Sequence, residues 1–128
     1  MAAQAQLDYT GRTVLVTGGT KGIGRVIAET FARAGADVVV CGRTEPAESP
    51  GHFVRTDVRD PAACRALVEA TVERFGRLDV LVNNAGILRD STLWKMTDEQ
   101  FDAVISTHLR GTFTCTRAAA IRLREQGE

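Results

Sequence analysis

Thr13 to Thr17 reads TVLVT and runs directly into Gly18 to Gly24, GGTKGIG. The first five residues are aliphatic or β-branched, as in a short strand buried on both faces, and the glycines after them demand a tight turn. From Gly22 onward Ile23, Val26, Ile27, Phe31 and Ala34 recur at helical spacing, with Arg25, Glu29 and Arg33 on the other face, until Gly35 stops the helix. A strand, a glycine turn and a helix N-terminus in that order offer backbone amides to a phosphate. Gly18, Gly22 and Gly24 stand where such a turn needs positive φ or a bare Cα close to the anion. No Gly-Lys-Ser or Gly-Lys-Thr occurs anywhere, which excludes a Walker-type loop.

Working outward, Ala36 to Cys41 (ADVVVC), His52 to Thr56 (HFVRT) and Leu78 to Val82 (LDVLV) read as three more strands, too far apart in sequence for hairpins. Between the third and fourth, Asp60 can cap a helix with Pro61 at its first position. Its buried stripe is Cys64, Leu67, Val68, Thr71, Val72 and Phe75, and Gly76 ends it. Thr97 with Gln100 forms a capping box that opens a last helix, Asp98 to about Gln126, with Phe101, Val104, Ile105, His108 and Thr112 along one side. Thr44 to Gly51 (TEPAESPG) has two prolines and no apolar period, so it is a loop where a crossover helix would ordinarily sit. Strands alternating with long crossovers imply an α/β fold with a doubly wound parallel sheet.

Composition narrows the function. The 128 residues carry 16 Lys+Arg against 16 Asp+Glu and are 44% hydrophobic, the profile of a single domain spanning residues 1–128. A zero balance without a basic stripe argues against nucleic acid and against a membrane surface as partners. No apolar run reaches the roughly 18 residues of a bilayer span, and Met1 to Tyr9 lacks the basic start and apolar core of a signal peptide. Cys41, Cys64 and Cys115 are widely spaced and read as small buried hydrophobes. With His52 and His108 far apart, neither a disulfide framework nor a metal site is expected, which fits a reducing cytoplasm. Trp94 reads as core packing, with shielding a substrate or covering the sheet edge as the alternatives.

The turn TGGTKGIG resembles the TGxxxGxG fingerprint of the short-chain dehydrogenase/reductase family, and three further segments resemble that family in order. They are Asp57-Val58 after the third strand, Asn83-Asn84-Ala85-Gly86 after the fourth, and His108-Leu109-Arg110-Gly111 in place of an N-[LV]-x-G helix segment. The resemblance implies the first half of a Rossmann-type sheet, strand order 3-2-1-4, that binds a nicotinamide dinucleotide. By that resemblance Gly18, Gly22 and Gly24 shape the pyrophosphate turn, which the backbone of Thr20, Lys21 and Ile23 lines. Asp57 accepts from the adenine amino group with Val58 beside it, and Asn83, Ala85 and Gly86 pass the ribose and nicotinamide. The NNAG segment also has a structural use, tying neighbouring strands together.

A ribose 2′-hydroxyl is usually held by an acid at the end of the second strand, whereas a 2′-phosphate wants a cation there. This chain has Gly42 and Arg43, with Lys21 in the glycine turn, so NADP(H) is favoured over NAD(H). The family's Tyr-x-x-x-Lys pair is absent. The only tyrosine, Tyr9, has Thr13 four residues on. The expectation is therefore the cofactor-binding portion of a short-chain oxidoreductase, truncated before its catalytic half and inactive alone. It would act on a carbonyl or alcohol substrate once completed and form a homo-oligomer. His108 replaces an Asn that serves a proton relay in the family, and a ring that both donates and accepts can do the same. The alternatives are a non-enzymatic dinucleotide-binding module, or a truncated or engineered fragment without activity.

Overall fold

Residues 6–127 are described by a computed structural model, so residues 1–5 of the Met1 to Tyr9 stretch, and Glu128, lie outside the described residues. Four parallel strands, β1 (Thr13–Thr17), β2 (Asp37–Gly42), β3 (His52–Arg55) and β4 (Val80–Val82), form one sheet in the order β3-β2-β1-β4. Register runs Val14 opposite both Val38 and Val80, with Val39 opposite His52. Helices α1 (Gly22–Arg33) and α2 (Pro61–Phe75) follow β1 and β3, and the segment from Thr44 to Gly51 contains no helix.

The period-2 alternation of the strands divides the core in two. Val14, Val16, Val38 and Val40 face α1 with Ala28, Ile27 and Phe31. Leu15, Val39 and Cys41 face the other way, onto Cys64, Leu67 and Val68 of α2 and onto Cys115, Ala118 and Ala119. Each fully buried Val or Leu contributes about 1.5–3 kcal/mol, so these two layers fix the crossover helices on opposite faces.

Capping follows the sequence at α2, where the Asp60 carboxylate accepts from the Ala62 N–H and Gly76 closes the helix at φ 82°. It also does so at α3 (Asp98–Ile105), where Thr97 and Gln100 bond reciprocally.

Several expectations need correction. β2 lies one residue later than Ala36 to Cys41. β4 starts at Val80 rather than Leu78, because the Leu78 peptide is bonded elsewhere: its N–H donates to Gln126 Oε1 at 2.8 Å and its carbonyl accepts from Gln126 Nε2 at 2.7 Å. The last helix is interrupted. A π-helical turn, Ser106–Arg110, separates α3 from α4 (Gly111–Gln126). Such a turn inserts residues against the 3.6 period, so the apolar stripe drawn through Phe101, Ile105, His108 and Thr112 is not the buried one. Thr107, Gly111, Thr114, Cys115, Ala118 and Ala119 are buried instead, small side chains that let α4 approach α2 and the sheet closely. In α1 the packed residues are Gly24, Ile27, Ala28 and Phe31, while Ile23 and Val26 face outward. Trp94 is not core. It sits 82% exposed on a single 3₁₀ turn, Leu93–Lys95.

Candidate cofactor cleft

A cleft of about 760 Å³ opens beyond the carboxyl ends of β1, β2 and β4, where the strand order reverses about β1. In doubly wound sheets that switch point is where ligands bind, because two chain segments diverge there and leave a gap. Gly18, Thr20, Lys21 and Gly22 form one wall, Arg43 and the loop Thr44–Pro46 a second, Asp57 and Val58 a third, and Ala85 and Gly86 a fourth.

The glycine turn is shaped by two different constraints. Gly22 takes φ +60°, and a Cβ there would meet nothing within 4 Å, so the backbone borders open space. Gly24 has no positive φ but packs so closely that a Cβ would collide with the Gly18 carbonyl and the Asn84 amide. Asn84 in turn donates from Nδ2 to the Gly18 carbonyl at 3.2 Å, and the Thr17 hydroxyl accepts from the Asn84 and Ala85 N–H groups at 3.0 Å each. The NNAG segment is therefore pinned to β1, which is the strand-tying use of that motif.

Helix α1 starts in this turn without a side-chain cap, and its first turn contains no acidic residue. α2 and α3 each carry a side-chain cap and α1 does not, and the start of α1, at Lys21 and Gly22, borders the cleft. The bare Gly22, the uncapped helix and the bordering cations Lys21 and Arg43 together fit a nucleotide's phosphates.

Asp57 is held by a neighbour not anticipated from the motifs. Arg59 donates from Nη2 to Oδ2 at 2.7 Å, from Nε to both oxygens, and from its backbone N–H to Oδ1 at 3.0 Å. The guanidinium holds the Asp57 carboxyl below the usual carboxylate range. Both residues line the cleft, and so does Glu45. The Asp-x-Arg spacing of an Asx turn is a usable sequence signal for Arg59. Nothing in the sequence marks Glu45. Arg55 Nη1 donates to the Arg43 carbonyl at 3.3 Å, bracing the backbone that presents Arg43.

Four of the expected site residues do not line the cleft. Ile23 is 77% exposed, Gly24 lies behind the turn, and Asn83 Nδ2 donates to Thr116 Oγ1 at 3.0 Å, toward α4. His108 is exposed on the π turn with its ring against Gly86, and its Nε2 lies 2.9 Å from the Ile87 carbonyl oxygen and 3.1 Å from the Ile87 nitrogen. It touches the cleft wall through Gly86 and Ile87. Tyr9 packs edge-on against Phe31 with ring centroids 5.0 Å apart, away from the cleft residues. Cys41 lines the cleft floor with its side chain buried in β2, and burial pushes its pKa up to about 11. Among the described residues no group of three or more His, Cys, Asp or Glu could hold a metal, and no helix is long and apolar enough to cross a membrane.

Residues 12–128 match the family model described as short chain dehydrogenase. An uncharacterised oxidoreductase of Mycobacterium bovis is 43% identical over 125 residues, covering 90% of this chain and 51% of the relative. The 3-oxoacyl-[acyl-carrier-protein] reductase of Escherichia coli is 38% identical over 120 residues, covering 88% and 49%. The crystal structure of an NADH-dependent reductase complexed with NAD superimposes with a TM-score of 0.86 at 36% identity, covering 93% of this chain and 55% of that one. The chain spans about half the length of these proteins.

Proposed function

This chain belongs to the short-chain dehydrogenase family, and from that premise we propose that it is the NADP(H)-binding portion of an oxidoreductase that interconverts a carbonyl and an alcohol. The cleft at the switch point carries the reading: an uncapped helix start with Lys21 on one wall, and Gly42 followed by Arg43 on another. A bound nicotinamide cofactor supplies the hydride donor or acceptor.

In this reading the glycine turn, with the backbone of Thr20, Lys21 and Gly22 at the start of α1, holds the pyrophosphate, Arg43 and Lys21 hold the 2′-phosphate, and Asp57 receives the adenine amino group with Val58 beside it. Ala85 and Gly86 border the ribose and nicotinamide. His108, through its contacts with the Ile87 peptide, braces that wall, and its ring is proposed to pass a proton there. Glu45 lines the same cleft and weakens the positive field, so the proposed preference for NADP(H) rests on the forked donors an arginine can offer a phosphate rather than on net charge. The NAD complex of the similar reductase supports nicotinamide binding in general.

Titrating the purified chain with NADPH and NADH by calorimetry tests the assignment, with tighter binding of NADPH expected. Equal affinities, or a preference for NADH, would sink the NADP(H) assignment. The chain alone is expected to bind without turning over. It has no Tyr-x-x-x-Lys to protonate the carbonyl oxygen, and a positioned proton donor typically contributes about 10²–10⁴-fold. Steady oxidation of NADPH by any carbonyl compound would refute that expectation. The intact oxidoreductase is proposed to be a cytoplasmic homo-oligomer acting on a small molecule.

A further inference from the structure

Cys115 Sγ lies 3.4 Å from Cys64 Sγ across the α2–α4 contact, and both side chains are buried. Cys64 Sγ also sits 3.3 Å from the Val58 carbonyl, to which its thiol can donate. Val58 lines the cleft, and Gly111, at the start of α4, packs on the Val58 side chain so tightly that a Cβ would come 2.9 Å from Cγ2. The two sulfurs therefore stand one residue behind the cleft wall, each attached to an element that shapes it.

We propose that Cys64 and Cys115 are a reversible oxidation site, a dithiol that closes to an intramolecular disulfide under hydrogen peroxide and slackens the Asp57–Arg59 wall of the cleft. Cys115 donates to Cys64, which lowers Cys64 from the ordinary thiol value and raises Cys115, so Cys64 is the attacking sulfur. Its thiolate takes the distal oxygen of the peroxide, the O–O bond breaks, and Cys64 becomes a sulfenic acid as hydroxide leaves. Cys115 then loses its proton and displaces the sulfenic oxygen as water. Two thiols and one peroxide become one disulfide and two waters.

Closing the bond requires the sulfurs to move from 3.4 Å to about 2.05 Å, a small approach of α4 toward α2. Peroxide is small enough to reach the pair when the helix contact opens briefly. Loss of the S–H removes the donor to the Val58 carbonyl, so the wall loses a support whichever nucleotide the cleft binds. Cys41 does not take part. All three thiols are buried, but burial makes Cys41 harder to ionise, whereas the Cys115 S–H contact at 3.4 Å favours ionisation of Cys64.

The test treats the full, unmutated chain with hydrogen peroxide, quenches, alkylates and digests with trypsin. A linked pair of peptides, residues 60–65 with residues 111–117, should appear together with the loss of two hydrogens from the intact mass, and dithiothreitol should reverse both. Hydrogen exchange across residues 57–60 should be faster in the oxidised chain. Cys64→Ser and Cys115→Ser should each abolish the link, while Cys41→Ser should leave it. A link through Cys41, oxidation of Cys64 to sulfinic acid with no cross-link, or complete inertness would each overturn the proposal, and the peptide map of the unmutated chain distinguishes these outcomes even if a serine variant fails to fold. Unchanged exchange across residues 57–60 in a fully cross-linked chain would overturn the coupling to the wall.

Discussion

The Arg59 guanidinium grips the Asp57 carboxylate on both oxygens, only two residues along the chain, and the pair stands on the wall of the cleft. This is an ion pair with consequences for pH. Asp57 is held below the usual carboxylate range chiefly by Arg59, and Asp79 is lowered chiefly by Arg77, with the Thr13 N–H and Arg12 adding to it. A depressed folded-state value means that each carboxylate adds stability above its unfolded value, and that this stability is lost as pH falls through the folded value. That loss should therefore begin as pH falls into the ordinary carboxylate range and be complete only below the depressed folded values. Asp79, with a side chain only 9% exposed, should contribute more than the better-solvated Asp57. Arg59→Ala should return the Asp57 titration toward its ordinary value, read by carboxyl NMR, and cost about 0.2–1 kcal/mol. A titration unchanged in that variant would show that the pair does not persist in solution.

Cofactor discrimination should move with one residue. Charge-assisted hydrogen bonds contribute roughly 1.5–3 kcal/mol, so Arg43→Asp should weaken NADPH by about tenfold or more and improve NADH relative to it. Lys21→Ala should weaken NADPH less, because lysine acts as a point charge. If calorimetry finds Arg43→Asp neutral for both nucleotides, Arg43 is a surface charge and the 2′-phosphate lies elsewhere.

Gln126 supports the fold from the far end of α4. Its amide satisfies both the N–H and the carbonyl of Leu78, a fully buried residue. Gln126→Ala leaves both groups unpaired, at about 1–3 kcal/mol for each that water does not reach. Urea unfolding should show a lower midpoint with an unchanged slope, and Gln126→Glu, which keeps an acceptor but loses the donor, should fall between. Equal stability of all three would mean that the last turn of α4 frays in solution.

Self-association is the fourth expectation. The outer edge of β4 is unpaired in the described sheet, and Phe101, Leu109, Phe113 and Ile121 of the α3–α4 segment are more than half exposed. Unpaired edges and apolar faces recruit partners. Sedimentation at several concentrations should show species larger than one chain, and a single monomer throughout would refute this.

Much of the fold is legible in order and spacing. The TVLVT–GGTKGIG junction, the Asp60-Pro61 start and the Thr97–Gln100 box are local devices, set by the backbone conformations their own residues can adopt, and each appears where the chemistry of those residues puts it. The 3-2-1-4 strand order is a long-range property; the family resemblance implied it, and the sheet has it. Periodicity, however, says which residues share a helix face and not which face meets the core. On α3 and α4 the larger side chains have the spacing of a buried stripe. Close approach to α2 admitted only Gly111, Thr114, Cys115, Ala118 and Ala119, and the π turn at His108 set the faces out of phase.

Long-range pairing decided the rest. Asn83 turned to Thr116, the Leu78 peptide went to Gln126, and Cys64 met Cys115 from 51 positions away in sequence. The sequence by itself determined the elements, their caps and the glycine turn, because these depend on φ/ψ preferences and hydrogen bonds within a few residues. Only the tertiary structure decided which faces are buried and which side chains meet at the cleft, because those outcomes depend on the volume left between elements after the sheet and helices have packed.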